Sequence, residues 1–446
     1  MTVTSYNWLD RAKPTIVVPG KPAKWTPLVE PRQLKPDDGQ YFRDPNAAHH
    51  PKHPMEPTVL AVLAQNTRDI DVVACGSTLG NLLRFIRGED KLFRFLVELV
   101  EGAVFFVRRE NTPHELIPDV KGYGHSFPEA YTTWELDVKG SVSHQRVLSY
   151  RFGGLSFLVR FEGDGYILAE SKDEKDGHAM SFQATEGKPK GAVERSAVAL
   201  DQSRVTASAP SAASELTMSP AGKLVDQEHI FDLKTRSIRR KEAATFEDTF
   251  ADQLPRLWVS QVPNFILAYH DRGKFEDITV KDAQKDVKAW ERGQARVLSR
   301  LAALIHHIVG LVKSRPDGKL ELRHARAGSL EVREQLEDAG DALSDAVKLE
   351  IANVSESVGT DEQSFIMSKA ESTIEKLSGA ADSADSQASG DRPPSPPRDS
   401  SGIAATAMYL TAIYSSNLLH TAFTKAAAAA AAALQRLEAM PVVSQS

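Results

Sequence analysis

The chain has 446 residues, 41% hydrophobic and 26% charged, enough for one large or two to three ordinary buried cores. A formal net charge of -6 and a pI near 6.1 exclude a protein that holds nucleic acid by bulk positive charge, so any such role must sit in a local site. Cys75 is the only cysteine, which excludes a disulfide framework and a cysteine zinc cluster and fits a reducing intracellular compartment, nuclear or cytoplasmic.

The N-terminal MTVTSYNWLDRAKP has no basic-then-apolar signal pattern. Residues 1–58 are proline-rich and read as an extended arm laid over a core, and His49, His50 and His53 between prolines read as part of a solvated loop. Residues 59–315 form the predicted main domain. In its first part, short apolar runs (DVVAC, FRFLVELV, AVFFVRREN, YRFGGLSFLVRFEGDGYI) alternate with helical pieces (STLGNLLRFI, FPEAYTTWELDV). That mix predicts an α+β fold with an α/β-type core, in which mixed twisted sheets are flanked by helices. Residues 169–224 are rich in Ser, Ala, Lys and Glu and read as a disordered insertion. Order returns at LVDQEHIFDLKTRS. From Lys281 to Lys313 a helix is predicted with Val287, Trp290, Val297, Leu301, Leu304, Ile308 and Leu311 on its core face, and His306 and His307 as structural residues. Residues 316–446 read as a helical, low-complexity extension, with helical pieces near 328–357 and 362–379 and a Ser/Pro linker. Its segment Ile403–Phe423 lacks charge, but its Ser, Thr, Asn and His content predicts an interfacial or partner-packing helix rather than a stable membrane span.

Two charged pairs stand inside apolar runs. Residues two apart on a strand share a face, so Asp232 and Lys234 of FDLK project together, away from Phe231 and Leu233. Glu162 and Asp164 of VRFEGDGY repeat the spacing, with Gly163 and Gly165 leaving the backbone open to a close approach. If the two strands are hairpin neighbours, with the insertion as an enlarged turn, these carboxylates and the lysine converge. Such a patch suits a divalent cation, Mg²⁺ or Mn²⁺, which takes oxygen ligands and relieves the repulsion between clustered acids. A lysine beside it polarises water or stabilises charge developing on a phosphate.

The order of these blocks resembles the DXO (Rai-like) decapping nucleases of the PD-(D/E)xK superfamily. GHSFPEAYT resembles the block that supplies a helix-borne acid, Glu129. VRFEGDGY resembles the Glu-x-Asp block, and IFDLKTRS the acid-x-Lys block, with Asp232 in place of glutamate; LWVSQVPNFILAYHDRGKF resembles the segment that follows. The resemblance covers about residues 30–315. It implies metal-dependent processing of RNA 5′ ends: decapping, pyrophosphate release or 5′–3′ exonuclease action. It implies catalytic Lys234, Asp164, Asp232 and Glu129, and a metal set of Glu129, Glu162, Asp164, Asp232 and Leu233. Arg160, Gln261 and Arg236 are expected at the RNA, with Arg151, Arg239 and Arg240 along its path. The family's first block has an arginine where this chain reads Cys75-Gly76-Ser77-Thr78, and Arg84 stands in for it in a shifted register. The rival readings are a non-catalytic scaffold or partner of a 5′–3′ exoribonuclease, and a DNA nuclease of the same superfamily.

Overall fold

The computed structural model describes residues 1–353, apart from 64, 66–68, 169–179, 182–215, 242 and 327. All of these belong to one unit, Met1–Asp361. Its strands, in chain order, are β1 (Thr2–Leu9), β2 (Thr15–Gly20), β3 (Lys24–Trp25), β4 (Val72–Cys75), β5 (Phe93–Val100), β6 (Ala103–Arg108), β7 (Thr132–Thr133), β8 (Ser141–Phe152) and β9 (Leu155–Glu162). There follow β10 (Gly165–Tyr166), β11 (Met180–Ser181), β12 (Thr217–Gly222), β13 (Ile230–Ser237), β14 (Asn264–Asp271), β15 (Lys274–Asp282), β16 (Lys319–His324) and β17 (Glu331–Arg333). The helices are α1 (Pro45–His49), α2 (Glu56–Leu63), α3 (Gly76–Ile86), α4 (Ser126–Tyr131), α5 (Phe246–Ala251), α6 (Leu254–Ser260), α7 (Gln284–Gly293) and α8 (Ala295–Ser314).

The strands form two mixed sheets. The first runs β12-β2-β1-β8-β9-β4-β6-β5-β16-β17 and the second β11-β15-β14-β13-β10-β3-β7. In the first sheet β4 is parallel to both β6 and β9, while β8 and β9 form an antiparallel hairpin. One face of that sheet packs Val72, Phe95, Phe106 and Phe157 against α3 and α8, and the other packs Tyr6, Trp8 and Leu158 against α2 and Ala342–Val347. The α+β class with mixed sheets flanked by helices is thus present.

Several boundaries differ from the sequence reading. Thr2–Leu9 is an interior strand, not part of an arm: the prolines begin only at Pro14, and β1 pairs with both β2 and β8 with nearly every residue buried. The main unit runs past residue 315, because β16 pairs with β5 and adds Leu320 and Leu322 to the core. Within the expected insertion, Thr217–Gly222 is a strand parallel to β2; the rest of it, residues 169–215, lies outside the described residues apart from Met180–Ser181. Around 328–357 the chain forms β17, a 3-10 turn at Glu337–Ala339 and a helix at 345–353. The expected helix 362–379, the Ser/Pro linker and the segment Ile403–Phe423 lie outside the described residues.

The long amphipathic stretch is two helices that meet at Gly293–Gln294. The break resets the phase, so Leu298, Leu301, Ile305, Ile308, Val309 and Val312 are buried, while Val297, Leu304 and Leu311 flank the core. Among the described residues α8 alone is long and apolar enough to cross a membrane. Its apolar side is spent on the first sheet. His306 bonds Gly153 O at 2.7 Å and His307 is exposed.

The three N-terminal histidines are placed, not solvated. His49 stacks on Trp8 with ring centroids 4.7 Å apart, His50 Nε2 meets Glu56 Oε2 at 2.8 Å, and His53 Nδ1 meets Asp341 O at 3.1 Å. Burial lowers His49 to about 4 against the weaker pull of Asp10. Burial also raises Glu56, but hydrogen bonds from His50 and Ser344 outweigh it and hold this carboxyl at about 2. As pH falls from 6.5 to 4 the unfolded chain takes up a proton at His49 that the folded chain refuses, so His49 costs stability over that window. Glu56 adds a loss as pH falls from 4.5 toward 2. The stability difference between wild type and His49→Phe is therefore expected to shift by on the order of 2 kcal/mol between pH 7 and 4, measured by urea unfolding. A pH-independent difference contradicts it.

Candidate functional site

The acids gather where the chain crosses from one sheet to the other. Glu162 ends β9 in the first sheet, opposite Gln145, and the Gly163 N–H continues that ladder by donating to His144 O at 3.0 Å. After Asp164, β10 joins the second sheet, antiparallel to β13 with Gly165 opposite Phe231. A Cβ at Gly165 would lie 2.4 Å from the Phe231 ring and 2.7 Å from Ala23 O, so only glycine admits this crossing. β9 is therefore not the neighbour of β13, as a simple hairpin would have it. The short strand β10 takes that place, and the two acidic blocks still meet.

On β13 the alternation holds. Phe231 and Leu233 enter an aromatic cluster with Phe127, Tyr131 and Phe275, while Asp232, Lys234 and Arg236 take the other face, Asp232 buried and the two bases half-buried. The Leu233 N–H donates to Asp164 Oδ2 at 2.6 Å and pins the carboxylate beside β13.

Opposite stands Arg256 of α6, which the sequence reading passed over inside LPRLWVSQ. Its Nε lies 2.7 Å from Asp232 Oδ2 and its Nη2 3.8 Å from Asp164 Oδ2. Asp232 Oδ1 is buried without a hydrogen-bond partner. α4 closes a further side. Asp37 caps it by accepting from the backbone N–H groups of His125 and Ser126 at 3.1 and 2.9 Å, and the Tyr41 ring stacks on His125 at 3.5 Å. His125 is close enough to Asp164 for the two charges to interact, and Glu129, four residues on, shares its helix face.

The electrostatics follow from this crowding. Glu162 is open to solvent, and the neighbouring Asp164 pushes its carboxyl up against the pull of Arg160 and Arg256. Burial and then Asp164 raise Asp232 to about 7, opposed by Arg256 and Lys234. Asp164 is also raised by burial, against Arg256 and the Leu233 N–H. Lys234 is lowered, first by burial and then by Arg236 and Arg256. Asp164 and Asp232 thus keep their protons to higher pH than free carboxylates do, and a cation between them would displace those protons.

Four of the residues expected at the RNA are held by other contacts or lie away from the acids. Arg160 shares a face of β9 with Glu162 and lies within its electrostatic reach, but it is buried beside Tyr6 and Asp44 and bonded to Gln145 Oε1 at 3.0 Å. Gln261 is the left-handed C-cap of α6, and its amide donates back to Trp258 O. Arg84 bonds Asn81 Oδ1 at 2.6 Å, about 12 Å along α3 from Gly76, the end that abuts Phe161 and Val259. Arg151 sits at the far turn of the β8–β9 hairpin, about 20 Å from Glu162 along the strand. Arg236 does lie beside Lys234, and the exposed Arg239 and Arg240 follow in a 3-10 turn.

A family model described as Domain of unknown function (DUF8563) matches residues 1–325. The chain belongs to this family. No curated protein sequence matches it. The DUF8563 chain is similar to solved structures of Rai1 and Dxo1. S. pombe Rai1 in complex with 3'-FADP is 12% identical at a TM-score of 0.47, covering 75% of this chain and 93% of that one. Candida albicans Rai1 in complex with pU5-Mn²⁺ is 8% identical at 0.45, covering 76% and 90%. K. lactis Dxo1 in complex with manganese is 6% identical at 0.37, covering 70% and 93%.

Proposed function

We propose that this DUF8563 protein is a metal-dependent hydrolase that processes RNA 5′ ends. The observation that carries the reading is the meeting of Asp164, Asp232 and Lys234, with Asp232 Oδ1 buried and unpartnered. An all-carboxylate donor set with an orphaned oxygen fits a hard divalent ion. Glu162, Asp164 and Asp232 would hold it, with Glu129 on the facing helix, and when bound it supplies a water made acidic and positive charge for a phosphate. Lys234, half-buried and lowered by its neighbours, orients or deprotonates the attacking water and meets charge on the phosphate. Arg236 and Arg240 continue the positive face beyond it and hold further phosphates without reading sequence. The RNA 5′ end as substrate rests on the ordered motif blocks.

The test incubates the protein with triphosphate-, cap- and monophosphate-ended RNA and with DNA, in Mg²⁺ or Mn²⁺, beside Asp164→Ala and Asp232→Ala. Wild type is expected to trim at least one RNA end, and both variants to be inert. Traces identical for all three would overturn the enzyme reading in favour of a non-catalytic partner of an exoribonuclease, the reading that the Arg256 contact with the acids favours.

A further inference from the structure

We infer that Arg256 is the resident counter-cation of the Asp164–Asp232 pair, and that a divalent ion enters this site by displacing its guanidinium. The inference rests on the metal reading above and adds a determinant of metal affinity within this chain.

The guanidinium reaches one oxygen of each acid, Asp232 Oδ2 at 2.7 Å and Asp164 Oδ2 at 3.8 Å, so a single positive group spans the place where a shared ion would bind both. Asp232 is almost wholly buried, with 5% of its side chain exposed, and a buried carboxylate needs a cation close by. The pairing nevertheless uses only half of that carboxylate, since Oδ1 has no partner. A doubly charged ion can use both oxygens, which an arginine approaching through Nε does not. The arginine is also easily moved. Its side chain is 51% exposed, so the guanidinium leaves into water and recovers hydration as it goes. Once displaced it stays on α6 beside Lys234, which it already influences electrostatically, where a substrate phosphate would meet it.

Competition of this kind weakens metal binding by the stability of the internal pair. Mn²⁺ affinity, read by calorimetry and by the loss of the free-ion electron paramagnetic resonance signal, tests it in the full chain. Arg256→Gln is expected to bind Mn²⁺ at least about ten-fold more tightly than wild type. Arg256→Lys, a point charge that cannot fork across two carboxylates, is expected to fall between. Equal or weaker binding by Arg256→Gln overturns the displacement while leaving the metal site standing. Should that variant fail to fold, Arg256→Lys decides: tighter binding supports displacement and unchanged binding overturns it. Absence of Mn²⁺ binding in wild type and variants alike withdraws the metal reading and this inference with it.

Discussion

Replacing Lys234 by alanine is expected to lower the rate of RNA 5′-end hydrolysis by about 10²–10⁴-fold while leaving Mn²⁺ affinity within about three-fold of wild type. The split follows from its position. Lys234 shares a strand face with Asp232, one pleat along, and brings no oxygen to a metal. Its amine is half-buried and pressed by Arg236 and Arg256, so it gives up its proton more readily than a surface lysine. Lys234→Arg keeps the charge but cannot shed it, and a loss in that variant close to that of alanine would assign the role to proton transfer. Turnover measured beside metal-binding isotherms separates the cases, and a Lys234→Ala protein that turns over at half the wild-type rate removes the lysine from the chemistry.

Phe127→Ala is expected to cost about 3–5 kcal/mol of unfolding free energy, seen as a lower denaturation midpoint at unchanged slope. The ring is fully buried, stacked on Tyr131 and tilted against Phe275, each at 4.2 Å between centroids. It is the anchor by which α4 grips the back of the second sheet, and α4 carries His125 and Glu129. Loss of the anchor therefore loosens one wall of the site as well as the core. A cost below 1 kcal/mol would mean that neighbours close the cavity and that Asp37 alone holds the helix.

Much of this was legible because it depends on strand parity. Asp232 and Lys234 share a face in any strand through FDLK, and Glu162 ends a strand, with Asp164 just beyond it, because two glycines follow and interleave them. What spacing cannot carry is which strands become neighbours. β10, two residues long, carries the link between the acidic blocks, and a two-residue strand has no periodicity to detect. Arg256 was hidden for another reason. It lies on a short helix between Pro255 and Trp258, where only the fold aims it at β13. Arg160 is the reverse case, since an arginine at the end of an apolar strand reads as exposed, yet it is buried and its neutral partner Gln145 lies on another strand.

The crossing Glu162-Gly163-Asp164-Gly165 gives the molecule a property beyond its chemistry. Glu162 belongs to the first sheet and Asp232 to the second, to which Asp164 is bonded through the Leu233 N–H, so the spacing of the three carboxylates works as a caliper on how the sheets are set. An ion held by all three would fasten one sheet to the other. The apolar seam that joins the same sheets, through Phe161, Tyr166 and Phe265, sets that spacing from a distance. A substitution there, touching none of the acids, would be felt as a change in how firmly the ion is gripped.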